Sequence, residues 1–149
     1  MNQDPQVINK ILAETHVIAV VGLSPKADRP SYGVADYLQR HGYRIIPVNP
    51  AAAGTHILGE HCYATLTQAA AALAEQQLRI DLVDVFRKSE LVGPIADEAI
   101  AIKARALWLQ IGVINDAATN KARAAGLDVV DDRCTKIDHA IWRAQQAKG

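Results

Sequence analysis

Apolar and polar positions along this chain follow two alternating periods. Val17-Ile18-Ala19-Val20-Val21 is an unbroken apolar run that stops at Gly22, which predicts a strand buried on both faces. Before it, Asp4-Pro5 reads as an N-cap followed by proline at the first helical position. Val7, Ile8, Ile11 and Leu12 then mark one helical face. After a loop from Leu23 to Pro30, Ser31 is placed to cap a helix carrying Val34, Tyr37, Leu38 and His41 on one side, closed at His41-Gly42. Ile45 to Val48 predicts a second strand, put at an edge or an end by Pro47.

The alternation continues to the end of the chain. Ile57 to Tyr63 predicts a weak third strand, and the Ala-rich stretch Leu66 to Leu78 a helix. Ile80 to Phe86 predicts a fourth strand with Asp81 and Asp84 at its flanks, and Ser89 and Pro94 lead into a helix bearing Ile95, Ala99 and Ile102. Ala106 to Ile111 predicts a fifth strand, and a short helix runs from Asn115 to Gly126. Leu127 to Val130 predicts a sixth strand, and Thr135 to Asp138 fits a capping box opening a last helix. Strands alternating with helices at this spacing imply βαβ units, hence a doubly wound, mainly parallel α/β sheet with helices on both faces. The expected organisation is a single domain over 1–149, with an N-terminal helix at 4–14 and a core at 17–149. Ligands of such sheets sit at the carboxyl ends of the strands, where strand order reverses.

Composition narrows the partners. The chain has 149 residues, with 16 Lys plus Arg against 16 Asp plus Glu, so its net charge is zero. That removes the global field expected of a nucleic-acid or anionic-membrane binder, and an anion must be held by local groups. Met-Asn-Gln-Asp-Pro lacks the basic start and apolar run of a secretory leader. Cys62 and Cys134 form no paired motif, so a reducing cytoplasm with free thiols is expected. His56, His61 and Cys62 lack a second ligand pair at zinc-like spacing, so no metal is expected.

Four segments follow strands at their carboxyl ends. Gly22 to Ser31 joins a buried strand to a helix N-terminus. Backbone N–H groups and the helix dipole there favour an anion. Gly22 permits close approach, Ser24 offers a hydroxyl, and Lys26 and Arg29 add charge. The spacing is not that of a dinucleotide fingerprint, since no glycine follows Gly22 until Gly33. The second strand ends in Val48-Asn49-Pro50, without the acidic residue that would hold an adenosine ribose. Phe86, Arg87 and Lys88 offer an aromatic face and two cations. Gln110 and Gly112 put a polar side chain and a flexible backbone after the fifth strand. No Ser/His/Asp constellation or carboxylate pair argues for catalysis, and His16, His41 and His139 fit surface or core roles.

The run VIAVVGLSPKADRPSYGVADYLQRHGYRIIPVNP, with ILGE, DVFRKSE, LWLQIGV and VVDDRC in order, resembles the small CoA-binding proteins of bacteria. These are similar to the Rossmann-like N-terminal domain of the succinyl-CoA synthetase α subunit. The resemblance implies a three-layer CoA-binding domain with coenzyme A or a small acyl-CoA as ligand. It assigns Gly22, Ser24, Pro25 and Lys26 to the phosphate side, and Arg29 and Ser31 of the same loop are counted with them as cofactor-binding candidates. Val48, Asn49, Pro50, Phe86 and Arg87 would flank the nucleotide, Lys88 joins them as a neighbouring cation, and Gln110 to Gly112 would face the pantetheine arm. Cys134 would lie at the crevice rim. Where the synthetase has a lysine after the second strand, this chain has Ala51-Ala52-Ala53-Gly54, leaving Arg29, Arg87 or Lys88 to substitute. The synthetase's phosphorylated histidine belongs to a domain absent from this sequence. Two other readings stay open: an NAD(P)-binding oxidoreductase fragment, and a regulatory subunit lending a CoA site to a CoA-ligase partner.

Overall fold

The computed structural model describes residues 2–148. Five parallel strands form the main sheet: β1 (Val17–Val21), β2 (Arg44–Val48), β5 (Leu82–Val85), β6 (Ala106–Leu109) and β7 (Asp128–Val130), in the order β2-β1-β5-β6-β7. A separate hairpin pairs β3 (His56–Ile57) with β4 (Glu60–His61). Every residue of β1, β5 and β6 is buried, the signature of a sheet covered on both faces. Odd positions of β1 and β5 (Val17, Ala19, Val21, Val83, Val85) pack with α3 (Leu66–Ala74), α4 (Val92–Ala101) and α5 (Asp116–Ala124). Ile18, Val20, Leu82 and the wholly buried Trp108 pack on the other side with α1 (Pro5–Glu14), α2 (Pro30–Arg40) and α6 (Thr135–Lys148). The result is a three-layer, Rossmann-like α/β/α sandwich. Each fully buried aliphatic residue contributes roughly 1.5–3 kcal/mol.

The chain leaves β1 toward β2 on one side and crosses to β5 on the other. Strand order therefore reverses between β1 and β5, and the carboxyl ends of these strands open a crevice there. Local signals behave as read in several places. Asp4 caps α1, accepting from the Gln6 N–H with Pro5 at the first position. Asn115 caps α5 through the Ala118 N–H. Pro47 lies in the edge strand β2.

Five expectations are corrected. Ser31 does not cap α2; Arg29 holds that position, Pro30 opens the helix, and the Ser31 hydroxyl accepts the Ser24 N–H at 3.0 Å. Proline's preset φ outcompetes a hydroxyl as the starting signal. The run Ile57 to Tyr63 is not a third strand of the main sheet. Leu58 and Gly59 both take positive φ (54° and 79°) and turn it back on itself, as a two-residue hairpin loop requires. Only Tyr63 reaches the sheet, in a single parallel bridge to Val48. The helix expected to reach Leu78 stops at Ala74, because Gln77 enters the left-handed region and the Leu78 N–H returns to the Leu73 carbonyl. Asp84 does not flank its strand; it lies within β5, between Val20 and Trp108 of the neighbouring strands, with no exposure. The capping box at Thr135 is not formed: the Thr135 hydroxyl turns to Asp84, and Asp138 takes the guanidinium of Arg133.

Candidate functional site

Gly22 closes β1 and governs the crevice floor. Its φ is +90°, and a Cβ there would stand 2.4 Å from the Phe86 carbonyl oxygen and 2.9 Å from Cδ of Arg87. The close approach that favours glycine is thus to the β5 loop of this chain itself. The Gly22 N–H donates to the Val48 carbonyl at 2.7 Å. The Asn49 amide donates to the Leu23 carbonyl at 3.0 Å, while its oxygen accepts from the Ala51 N–H. Asn49 therefore spends its side chain tying the loops after β1 and β2 together. The loops after β1, β2 and β5 are joined at one point by these contacts.

Around this point opens a crevice of about 430 Å³ bordered by Gly22, Ser24, Arg29, Pro30, Ser31, Phe86, Arg87, Lys88, Gln110, Ile111 and Val113. Arg29 offers no side-chain acceptor to the first turn of α2, so the dipole-positive end of that helix faces the crevice uncapped. Among the described residues, no ion pair involves Arg29, Arg87 or Lys88, although Arg40, Arg44, Arg105, Lys121 and Arg133 each pair with an acid. An anion entering here meets three uncompensated cations and a helix N-terminus.

Arg87 also borders a second chamber of about 280 Å³, formed by Val21, Val48, Pro50, Ala64, Thr65, Leu66, Leu91, Pro94, Ile95 and Glu98. Its walls are mostly apolar and close between α3 and α4. At the opposite end, Ile111 is shared with a hollow of about 200 Å³ containing Asp132, Arg133, Cys134, Ile137 and Asp138. The central crevice thus shares Arg87 with a mostly apolar chamber on one side and Ile111 on the other with a hollow whose walls carry Asp132, Arg133 and Asp138.

The loop after β6 is tied to its neighbours. The Gly112 N–H donates to Asp132 at 2.7 Å, the Ile114 N–H donates to the Ser89 hydroxyl at 3.0 Å, and the Asn115 amide donates to the Ser89 carbonyl. Beneath it, Gln110 Nε2 donates to Asp84 Oδ1 at 2.6 Å and to the Thr135 hydroxyl at 3.0 Å, and that hydroxyl donates to Asp84 Oδ2 at 3.0 Å. Burial pushes the Asp84 carboxyl up to about 7, against the two hydrogen bonds that favour its charge.

The sequence-predicted residues therefore divide. Gly22, Ser24, Arg29, Ser31, Phe86, Arg87, Lys88 and Gln110 border the central crevice; Val48 and Pro50 border the apolar chamber; Cys134 lies half-buried at the far end. Pro25 and Lys26 are exposed and border none of these hollows. Gly112 contributes its backbone turn, at φ +82°. Sequence reasoning missed Thr65, Leu91 and Ile95, whereas Ile111 lies within the Gln110 to Gly112 segment it singled out. Leu91, 40% exposed at the end of the turn Ser89–Leu91, carried a signal as an exposed large apolar residue.

Comparison with known proteins gives a consistent answer. A family model described as CoA binding domain matches residues 16–140. The chain is 37% identical to YneT of Bacillus subtilis (strain 168) over 142 residues, covering 95% of this chain and 98% of that protein. A solved protein of Pyrococcus horikoshii OT3 is similar with a TM-score of 0.82 and 34% identity, covering 93% of this chain and 92% of that one. The solved cell-free ID.343 of Thermus thermophilus has a TM-score of 0.81 at 30% identity, covering 94% of this chain and 99% of its own.

Proposed function

We propose, from the premise that this chain belongs to the CoA binding domain family, that it binds coenzyme A or a small acyl-CoA along the groove at the carboxyl ends of β1, β2, β5 and β6. The observation that carries the reading is the crevice at the start of α2 bordered by Arg29, Arg87 and Lys88, none of them in an ion pair among the described residues, with a mostly apolar chamber beside it. Coenzyme A is a base, then a cluster of phosphates, then a neutral arm with two amides and a thiol. The apolar chamber of Val48, Pro50, Leu66 and Ile95 shares Arg87 with the crevice of Arg29, Lys88 and Gln110, and that crevice shares Ile111 with the hollow of Cys134, Asp132, Arg133 and Asp138.

The phosphates lie against the start of α2, where dipole and guanidinium groups act together. Arg87, bordering both the chamber and the crevice, is the cation placed to reach them from either side. The alanine stretch after β2 supplies no cation, and Arg29, Arg87 and Lys88 take that part. An NAD-type ligand is disfavoured because the strand end that would carry a ribose-binding acid carries Asn49, whose amide is already committed to Leu23. Isothermal calorimetry with coenzyme A, NAD, NADP and FAD tests the reading. Coenzyme A is expected to bind tightest, and equal or stronger binding of NAD overturns it.

A further inference from the structure

We infer that the outer face of α6, together with Ile111 of the loop after β6, is a two-fold interface through which a second copy of this chain binds. The observation behind it is that α6 is seated the wrong way round for a surface helix. Its buried positions include Thr135, Asp138 and His139, and each is held by a hydrogen bond. Thr135 bonds to Asp84, Asp138 to Arg133, and His139 Nδ1 shares a hydrogen bond with the Tyr37 hydroxyl at 2.9 Å. The large aliphatic residues point the other way. Ile137 and Ile141 are 52% and 49% exposed, one turn apart on the same side of the helix. An ordinary surface helix turns such residues inward. Ile111, 64% exposed, shares a hollow with Ile137, so Ile111, Ile137 and Ile141 form one apolar ridge. Exposed aliphatic residues scattered singly need no explanation, whereas a contiguous ridge marks a surface that is covered.

The charges around the ridge say what covers it. At the Ile111 end stands Asp132, bordering the same hollow, and beyond it Asp116, bordering the next hollow with Ile114. At the Ile141 end stands Arg143, which is exposed and reaches His41 at 3.1 Å. Among the described residues, none of Asp116, Asp132 and Arg143 takes part in an ion pair. The ridge is therefore acidic at one end, apolar along its middle and basic at the other, which makes it complementary to itself. A two-fold axis through Ile137 packs that residue on the partner's Ile137. It sets Ile111 on the partner's Ile141 and Asp132 opposite the partner's Arg143. Each outer contact then occurs twice, as an isologous interface requires. Ala140 and Ala144, exposed beside the isoleucines, leave room for the partner's side chains. An anionic lipid surface matches less well, because the acids at the Ile111 end repel it. Ile111 also borders the central crevice, so the partner's Ile141 adds an apolar residue to that rim. The interface itself does not depend on the function proposed above.

Sedimentation velocity of the full chain over a micromolar-to-submillimolar series tests the inference. The parent is expected to pass from monomer to dimer and no further, because a closed two-fold contact uses both ridges. Ile137→Glu sets two carboxylates at the axis and is expected to weaken the dimer by at least about tenfold. Its far-ultraviolet circular dichroism should match the parent's, since the side chain is exposed. Arg143→Glu is expected to weaken the dimer by about fivefold at low salt and by less at high salt. Lys121→Glu makes the same change of charge on α5, in the opposite layer, and is expected to leave the dimer unchanged. A parent that stays monomeric throughout overturns the inference, as does a dimer indifferent to Ile137→Glu or weakened equally by Lys121→Glu. A monomeric parent that binds phosphatidylglycerol vesicles assigns the ridge to a membrane and overturns it too. Coenzyme A binding by a monomeric parent leaves the proposed function standing.

Discussion

Asp81 lies immediately before β5 and Asp84 within it, three residues on, and both are buried. At the amino end, Asp81 Oδ2 accepts the backbone N–H groups of His16 and Val17 at 3.0 and 2.9 Å, and Oδ1 faces Arg105. Its partners are the backbone entering β1 and a cation. Near the carboxyl end, Asp84 is held by two side chains, one of which borders the groove. The first carboxylate locks a strand into register. The second adds no strand pairing, and burial works against its charge. The sheet is fastened at one end and equipped at the other, as the ligand geometry of open parallel sheets requires.

The contrast is sharpest under substitution. Asp81→Ala leaves two backbone donors unanswered at the start of β1. A loss of about 3 kcal/mol in urea unfolding is expected, with ligand affinity per folded molecule unchanged. A weakened affinity equal to that of groove variants would break the distinction between the two ends. Arg87→Ala should do the reverse. It should lose about 1.5–3 kcal/mol of coenzyme A binding, the worth of a charged hydrogen bond, while the denaturation midpoint stays in place.

Acidity separates the ends next. The folded Asp84 carboxyl titrates near 7, above its ordinary 3.8, so the folded state holds the extra proton between those values. The associated stability is full below the ordinary value and lost as pH rises through about 7. His139 runs the other way. Burial first, then His41 and Arg143, lower its pKa, so stability is lost as pH falls below the ordinary 6.5 of histidine. As pH falls from about 7 toward 3.8, Asp84 should therefore raise the thermal midpoint while His139 lowers it below 6.5, and Asp84→Asn should remove the rise and leave a steeper fall. A parent slope unaltered by Asp84→Asn would deny the carboxyl this role. The smallest effect concerns thiols. Cys62 is fully buried, and burial pushes its thiol pKa up, whereas Cys134 is half-buried in the groove's far hollow. Ellman's reagent should label Cys134 first, and saturating coenzyme A should slow that reaction. Preferential labelling of Cys62 would remove Cys134 from the accessible rim.

The layers were legible because burial on both faces writes continuous apolar runs, as in Val17 to Val21, and because caps such as Asp4 and Asn115 act through neighbours in sequence. The groove's cations were legible for the same reason: strand ends mark its location, and Arg29, Arg87 and Lys88 stand beside them. The missing parts depend on distant partners. Thr135 reads locally as a cap, but its hydroxyl is claimed by an acid 51 positions earlier. Asn49 looks available in sequence and is spent on Leu23. A lone aspartate between Val83 and Val85 was a usable signal, since an acid inside a buried strand needs partners. The turn at Leu58-Gly59 was concealed because leucine rarely takes positive φ.

Pro47 has a consequence for how copies of this protein meet. In β2, Arg44, Ile46 and Val48 direct their backbone groups toward β1, so Ile45 and Pro47 direct theirs outward. Proline has no N–H to offer, and its carbonyl already accepts the Tyr63 N–H at 3.0 Å. Only the Ile45 groups remain on that margin as a template for another chain. At the other margin β7 has three residues. Neither border gives an incoming strand a ladder long enough to hold, so crowding the protein should not lead to fibre-like stacking through its sheet.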